Sequence, residues 1–127
     1  MADLQEEIIK LTKEFLGAID RKDYNAYSDK LASNVSCFEP CTEGHLAEGL
    51  DFQKFYFGKT PTENCAVTIV NPRVHVIGPD AACIAYVRLR QRMTESGSAV
   101  THRTQETRVW QKIDGKWKIV HFHNSIM

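Results

Sequence analysis

Two arginines, Arg88 and Arg108, stand where the neighbouring residues predict buried strands. Arg108 lies in TRVWQKIDGKWKIVHFHNS (residues 107–125), where two apolar, aromatic, alternating runs flank Asp114-Gly115, and that pattern predicts a β-hairpin. Thr107, Val109, Trp110 and Ile113 surround Arg108, so its guanidinium needs an anion or an acidic side chain to offset the cost of burial. In ACIAYVRLRQR, strand side chains alternate with period two, which puts Ile84, Tyr86 and Arg88 on one face. Two readings of Arg88 follow. Either the strand reaches solvent there, with Arg90 and Arg92 continuing outward, or a curved sheet keeps the arginine on its concave side. The second arrangement makes an apolar cleft with positive charge inside, and Glu39 and Glu106 are the internal candidates for counter-ion.

The hairpin register decides which residues join Arg108, and two registers fit. A two-residue Asp-Gly turn places Arg108 opposite His121, on a face with Trp110, Ile119 and His123. A three-residue loop with Gly115 left-handed and an adjacent bulge places it opposite Val120, on a face with Phe122 and Asn124.

The same residues bear on other chemistries. Proton transfer needs a base of tuned pKa beside an electrophilic donor; Glu39, Asp51 and His75 are the available bases, with Tyr27 or Tyr56 as donor. Two guanidiniums in the cleft would lower a carboxylate pKa and weaken it as a base. Glu39 is better read as an arginine partner, Asp51 as a surface or capping residue, and the tyrosines as hydrogen-bonded core aromatics. For metal binding, His121 and His123 project from one strand face, but His75, His102, Cys37 and Cys65 have no spacing that makes them converge. No metal and no cofactor are expected, and the two histidines read as structural. Cys37 and Cys41 have three residues between them, one more than a C-x-x-C pair, with Pro40 inside; all four cysteines, including Cys65 and Cys83, read as free thiols.

The elements that must position these groups follow from periodicity. Asp3 and Glu6 resemble a capping box, and Leu4, Ile8, Leu11, Phe15 and Ile19 give an amphipathic helix with one buried stripe. Asp23 is a fair cap for a second helix carrying Tyr24, Tyr27 and Leu31, and GLDFQKFYFG reads as a brief buried helix. From Cys65 the pattern turns to strands, with a kink at Asn71-Pro72 and turns at Ser96-Gly97 and Asp114-Gly115. Helices followed by a meander of long antiparallel strands predict an α+β fold in which one curved sheet wraps a long N-terminal helix, as a single domain over 1–127. The 16 basic and 16 acidic residues cancel, which argues against a sequence-independent grip on nucleic acid or an anionic membrane. No apolar run approaches a membrane span, and the acidic start MADLQEEII lacks a signal peptide's basic region, so a soluble cytoplasmic chain is expected.

The strings EGLDFQKFYF, NPRVHVIG, AACIAYVRL and QETRVWQKIDGKWKIVHFHNS resemble the association, or hub, domain of calcium/calmodulin-dependent protein kinase II, in the nuclear transport factor 2-like superfamily. The resemblance runs from about Leu4 to Asn124. It implies a cone-shaped α+β domain that does no chemistry but forms dimers stacked into a two-tiered ring, a dodecamer or tetradecamer, that organises kinase subunits. It also implies an arginine-lined pocket for small carboxylates or the regulatory segment of the same kinase. The pocket arginines map onto Arg88 and Arg108, which favours the bulged register. The family's third falls at Asn124, Gln53 replaces a histidine, and GKTPTENCAV is shorter than its counterpart and lacks a bordering tryptophan. The pocket set expected is Arg88, Arg108, Glu39, Tyr27, Tyr56, Gln53 and Asn124.

The kinase signatures G-x-G-x-x-G, V-A-I-K, H-R-D and D-F-G do not occur in this sequence. It fits either a hub within a longer kinase or a free-standing relative. The alternatives to a hub are a small cavity enzyme of the same superfamily, an isomerase, dehydratase or hydrolase, and a free-standing small-carboxylate-binding protein.

Overall fold

The structure, a computed structural model, describes residues 3–57 and 66–127. Asp3 opens α1 (Leu4–Asp20) by accepting a hydrogen bond from the Gln5 N–H at 3.1 Å, while Glu6 and Glu7 put negative charge in the first turn, where the helix dipole favours it. The buried stripe is Ile8, Thr12, Phe15, Leu16 and Ala18, with Leu4, Leu11 and Ile19 partly buried on its flank. It is thus turned slightly from the expected one and has a hydroxyl at its centre.

Asp23 caps the short α2 (Tyr24–Asp29) through the Ala26 N–H at 3.1 Å. The expected continuation to Leu31 does not occur. The Lys30 carbonyl accepts from the Ile119 N–H at 2.7 Å and Leu31 pairs with Ile119, so sheet pairing takes Leu31 as the first residue of β1 (Leu31–Phe38). A 3₁₀ turn (Pro40–Thr42), the two-residue β2 (Ala47–Glu48) and α3 (Leu50–Phe57) lead to the long strands β3 (Ala66–Val76), β4 (Ala81–Met93), β5 (Ala99–Ile113) and β6 (Lys116–Ile126). They form one sheet in the order β2-β1-β6-β5-β4-β3. The β3–β6 meander is antiparallel as expected, and β1 adds to β6 in parallel.

The helix α3 forms where expected but is not buried. Gln53 alone among its residues is buried, Phe55 is 59% exposed, and Phe52 and Phe55 each lie against Tyr56. Phe57 turns inward, 4.8 Å from the Tyr27 ring.

The hairpin combines features of both expected registers. Asp114 and Gly115 take φ of 51° and 79°, and Ile113 pairs with Lys116, as a two-residue turn with both central residues left-handed requires. Trp110 then pairs with Ile119, but a bulge follows and Arg108 pairs with Phe122. The extra residue lies in mid-strand rather than beside the turn. It lets both Ile119 and Phe122, three apart, face the core, and leaves Phe122 and Asn124 with Arg108.

Trp110, Phe15, Ile8, Leu16, Ile84 and Ile119 are the largest fully buried apolar side chains, where α1 meets the sheet. The Trp110 Nε1–H donates to Thr12 Oγ1 at 3.2 Å, and the Thr12 hydroxyl donates to the Ile8 carbonyl at 2.8 Å. Thr12→Val keeps the volume but leaves the indole N–H without an acceptor, which costs about 1–3 kcal/mol. Denaturant unfolding at fixed protein concentration should show that loss, and Thr12→Ser should recover part of it.

Candidate functional site

The register between β4 and β5 stacks four cross-strand pairs on the face turned toward α1: Ile84 with Arg108, Tyr86 with Glu106, Arg88 with Thr104, and Arg90 with His102. Charge therefore alternates along the first rungs and then turns positive. Glu106, 3% exposed, lies between the two buried arginines. Its Oε1 accepts from Arg108 Nη2 at 3.0 Å and from the Tyr86 hydroxyl at 2.6 Å; its Oε2 accepts from the Thr104 hydroxyl at 2.8 Å and is 3.7 Å from Arg88 Nη1. The Tyr86 oxygen in turn accepts from Arg108 Nε at 2.9 Å. Arg88 also reaches the Asp20 carboxylate at 3.4 Å.

Aromatic rings complete the lodging of Arg108. Its guanidinium carbon is 4.9 Å from the Phe15 ring centre and 4.7 Å from that of Phe122. Stacking on two ring faces suits a planar, weakly hydrated cation. Nη1 of Arg108 and Nε of Arg88 and of Arg90 are nevertheless buried with no acceptor.

The opposite wall is a hydrogen-bonded chain. The Tyr27 hydroxyl donates to Gln53 Oε1 at 2.7 Å, and Gln53 Nε2 donates to Cys37 Sγ at 3.3 Å. Above it, Glu39 precedes the 3₁₀ turn and its Oε1 accepts from Asn124 Nδ2 at 3.4 Å, while the Cys41 thiol donates to Oε2 at 3.6 Å. Between the walls is a cavity of about 430 Å³. Arg88, Arg108, Glu39, Tyr27, Tyr56, Gln53 and Asn124 all line it.

Several expectations change. Of the two candidate counter-ions, Glu106 pairs with both arginines, because its strand position puts its carboxylate between theirs; Glu39 turns to Asn124 instead. Asp51 and His75 are exposed and outside the cavity lining. Arg90, outward in only one of the two readings of its strand, lines the cavity together with His102 and Arg103. Period-two spacing from Arg88 was the signal for Arg90. His121 Nδ1 lies 2.7 Å from the Ser36 hydroxyl; the His121 ring meets Phe38 edge-on and the His123 ring is tilted against it. No cluster of three metal-ligating side chains occurs among the described residues. Cys37, Cys41 and Cys83 are free thiols, and Cys65 and most of GKTPTENCAV lie outside the described residues.

The site is poorly suited to proton transfer. Burial raises the carboxyl pKa of Glu106, but the charges of Arg108 and Arg88 and the hydrogen bonds from Tyr86 and Thr104 outweigh it and hold the group below the usual range. Burial pushes the Tyr86 phenol up to about 12 and the Cys37 thiol to about 11, and it raises the Tyr27 phenol as well. None of these four titrates near neutrality, where a general acid–base pair works.

Glu106→Gln would leave two buried guanidiniums without their shared anion, a loss of about 3–5 kcal/mol. Because the folded-state pKa is depressed, the glutamate's contribution is fully present above its unfolded pKa and is lost as pH falls through the folded value. The stability gap between wild type and Glu106→Gln, read by denaturant titration, should therefore narrow as pH drops below about 4.3.

Residues 4–127 match the calcium/calmodulin dependent protein kinase II association domain family. The calcium/calmodulin-dependent protein kinase type II alpha chain of Drosophila melanogaster is 48% identical over 124 residues, 95% of this chain, which spans 23% of that relative's length. Among solved structures, the association domain of the Caenorhabditis elegans kinase superposes with a TM-score of 0.90 at 42% identity, covering 96% of this chain and 95% of that one. The hub homology domain from Chlamydomonas reinhardtii gives 0.89 at 37%, covering 98% and 99%. A protein of the nuclear transport factor 2-like family from Streptomyces avermitilis, at 19% identity and a TM-score of 0.76, shares the fold alone. The chain belongs to the calcium/calmodulin-dependent protein kinase II association domain family, and it corresponds to that family's non-catalytic hub rather than to its kinase.

Proposed function

We propose that the chain acts as one association domain over residues 1–127 and assembles into a two-tiered ring of dimers, a dodecamer or larger, that holds kinase subunits together in the cytoplasm. The observation that carries this reading is the family match across residues 4–127. The surface supports it. On the sheet face away from α1, Ala85, Val87, Val109 and Phe38 are only partly exposed, and a shallow depression is lined by Val70, Arg73, Ala85, Val87, Thr107 and His123. Partly apolar surface of this kind, with Arg73 among its lining residues, suits contact between copies. The long outer strand β3 is a poor partner for strand addition, because Asn71 at φ 50° and Pro72 interrupt it and shift its register, so the faces are the better contacts. No helix among the described residues is long and apolar enough to cross a membrane.

The cavity is proposed to receive a small carboxylate or an acidic stretch of the kinase regulatory segment. Four arginines and two glutamates line it, a formal excess of positive charge in a partly enclosed space. The cavity-enzyme alternative is less well supported, since Glu106, the one carboxylate deep in the cavity, is held ionised between two arginines.

Light scattering coupled to size exclusion should find a particle many times the 14.5 kDa chain, and a monomer persisting at micromolar concentration would sink the hub reading. Val87→Asp places a charge on the outer sheet face and should shift the population to smaller species while far-ultraviolet circular dichroism stays unchanged.

A further inference from the structure

Resting on the proposed carboxylate pocket, we infer that Arg90, at the rim of the cavity, is the primary anion anchor, and that the deep arginines serve chiefly as walls. The inner charges are already balanced. Arg88 and Arg108 share Glu106, and Arg88 has Asp20 as a second partner, so the two cations face two carboxylates. An anion entering there would be attracted by the guanidiniums and repelled by Glu106 at nearly the same distance, and little net attraction would remain.

One strand step beyond Arg88 the balance changes. Arg90 lines the cavity, its Nε is buried with no hydrogen-bond partner, and it pairs with no acidic side chain among the described residues. Its cross-strand neighbour is His102, which also lines the cavity and adds no negative charge. Arg103 contributes a further cation to the same lining. Glu39, the second lining carboxylate, is turned toward Asn124 and Cys41. Arg90 and Arg103 are therefore the strand-borne cations of the cavity whose charges no described carboxylate offsets, and of the two only Arg90 has a buried donor without a partner. A carboxylate there would satisfy a buried donor and relieve the repulsion between Arg88 and Arg90, two residues apart on one strand face.

The deep end keeps a role of a different kind. Nη1 of Arg108 is a buried donor without an acceptor, on a group whose charge Glu106 already offsets. It suits a neutral oxygen better than a second anion. The ligand assigned to the cavity is thus a carboxylate held at the rim, with an uncharged body running inward along the lining residues Ile19, Tyr27 and Phe57. A free short-chain acid and a glutamate side chain of a peptide both offer that chemistry.

The test uses the assembled wild-type chain and the variants Arg90→Gln, Arg90→Lys and Lys10→Gln, the last exposed on α1 and outside the cavity lining. Sodium butyrate is titrated against sodium chloride at matched ionic strength, with thermal unfolding as the readout, and an end-blocked tetrapeptide whose only ionisable group is one glutamate forms a parallel series. Wild type and Lys10→Gln should show a saturable rise of a few degrees. Arg90→Gln should raise the apparent dissociation constant about tenfold or abolish the response, with unliganded melting point and particle size unchanged, and Arg90→Lys should recover part of it. Whichever series Arg90→Gln disables, butyrate or peptide, identifies the source of the carboxylate. Saturable binding retained at full strength in Arg90→Gln would overturn Arg90 as anchor while leaving the pocket reading intact. Absence of any response in wild type to either series would remove the carboxylate pocket itself.

Discussion

One carboxylate determines what the inner face of the sheet can be. Glu106 is buried, and four side chains converge on it: Arg108 and Arg88 as cations, Tyr86 and Thr104 as hydroxyl donors. An ion moved out of water needs nearly complete compensation, and removing one member of such a cluster is far worse than never having built it. Glu106 obtains that compensation because the β4–β5 register puts it between its two arginines. Everything around it follows the same requirement. Phe15 of α1 and Phe122 of β6 cover the two faces of the Arg108 guanidinium, so a core aromatic of the helix and one of the sheet are both placed by a charge.

The same cluster fixes the end of the helix against the sheet. The last turn of α1 contains no basic residue of its own, although a helix C-terminus carries partial negative charge. Arg88 reaches Asp20, the final residue of α1, from β4. Thus one strand residue both balances Glu106 and supplies the cation that the helix end favours. In the middle of the helix, Trp110 and Thr12 pair helix to sheet by an N–H···O bond in an otherwise apolar setting. Two polar links, one at the helix end and one within the core, specify one docking position where apolar contacts alone would tolerate several.

Local rules made much of this legible from the chain. Asp114-Gly115 announced its turn, Asp3 and Asp23 their helices, and period-two spacing the face that Arg88 shares with Ile84 and Tyr86. What stayed hidden depends on partners remote in sequence. Whether Glu39 or Glu106 meets the arginines is decided by sheet register, and residues near 120 gave no sign of a mid-strand bulge. Leu31 suits a helix locally, but Ile119, far along the chain, draws it into a parallel pair. Whether Arg90 ran outward with Arg92 or inward with Arg88 stayed open, because an arginine run ends many strands; its place in the cavity is shared with His102 of β5 and with Pro40 and Cys41 of the 3₁₀ turn. The aromatic density of α3 was misleading for another reason. Burial was inferred from composition, whereas the helix turns Gln53 inward and leaves Phe55 out.

The inward Gln53 also explains how a cavity persists without collapsing. A pocket lined by apolar groups alone gains by closing, since each contact removes surface from water. Here Tyr27, Gln53 and Cys37 are tied in series on one wall, while Tyr86, Glu106 and the arginines are tied on the other. Each wall satisfies most of its own hydrogen bonds, so neither gains by crossing the space to meet the other. The donors left over, Arg108 Nη1 and the Nε atoms of Arg88 and Arg90, all belong to guanidiniums on the sheet side. The fold thereby separates two uses of arginine that the sequence cannot distinguish: charges neutralised to hold helix and sheet together, and a charge left uncompensated at the entrance. Such a cavity can be retained at little cost, because the stability resides in the walls and not in whatever fills it.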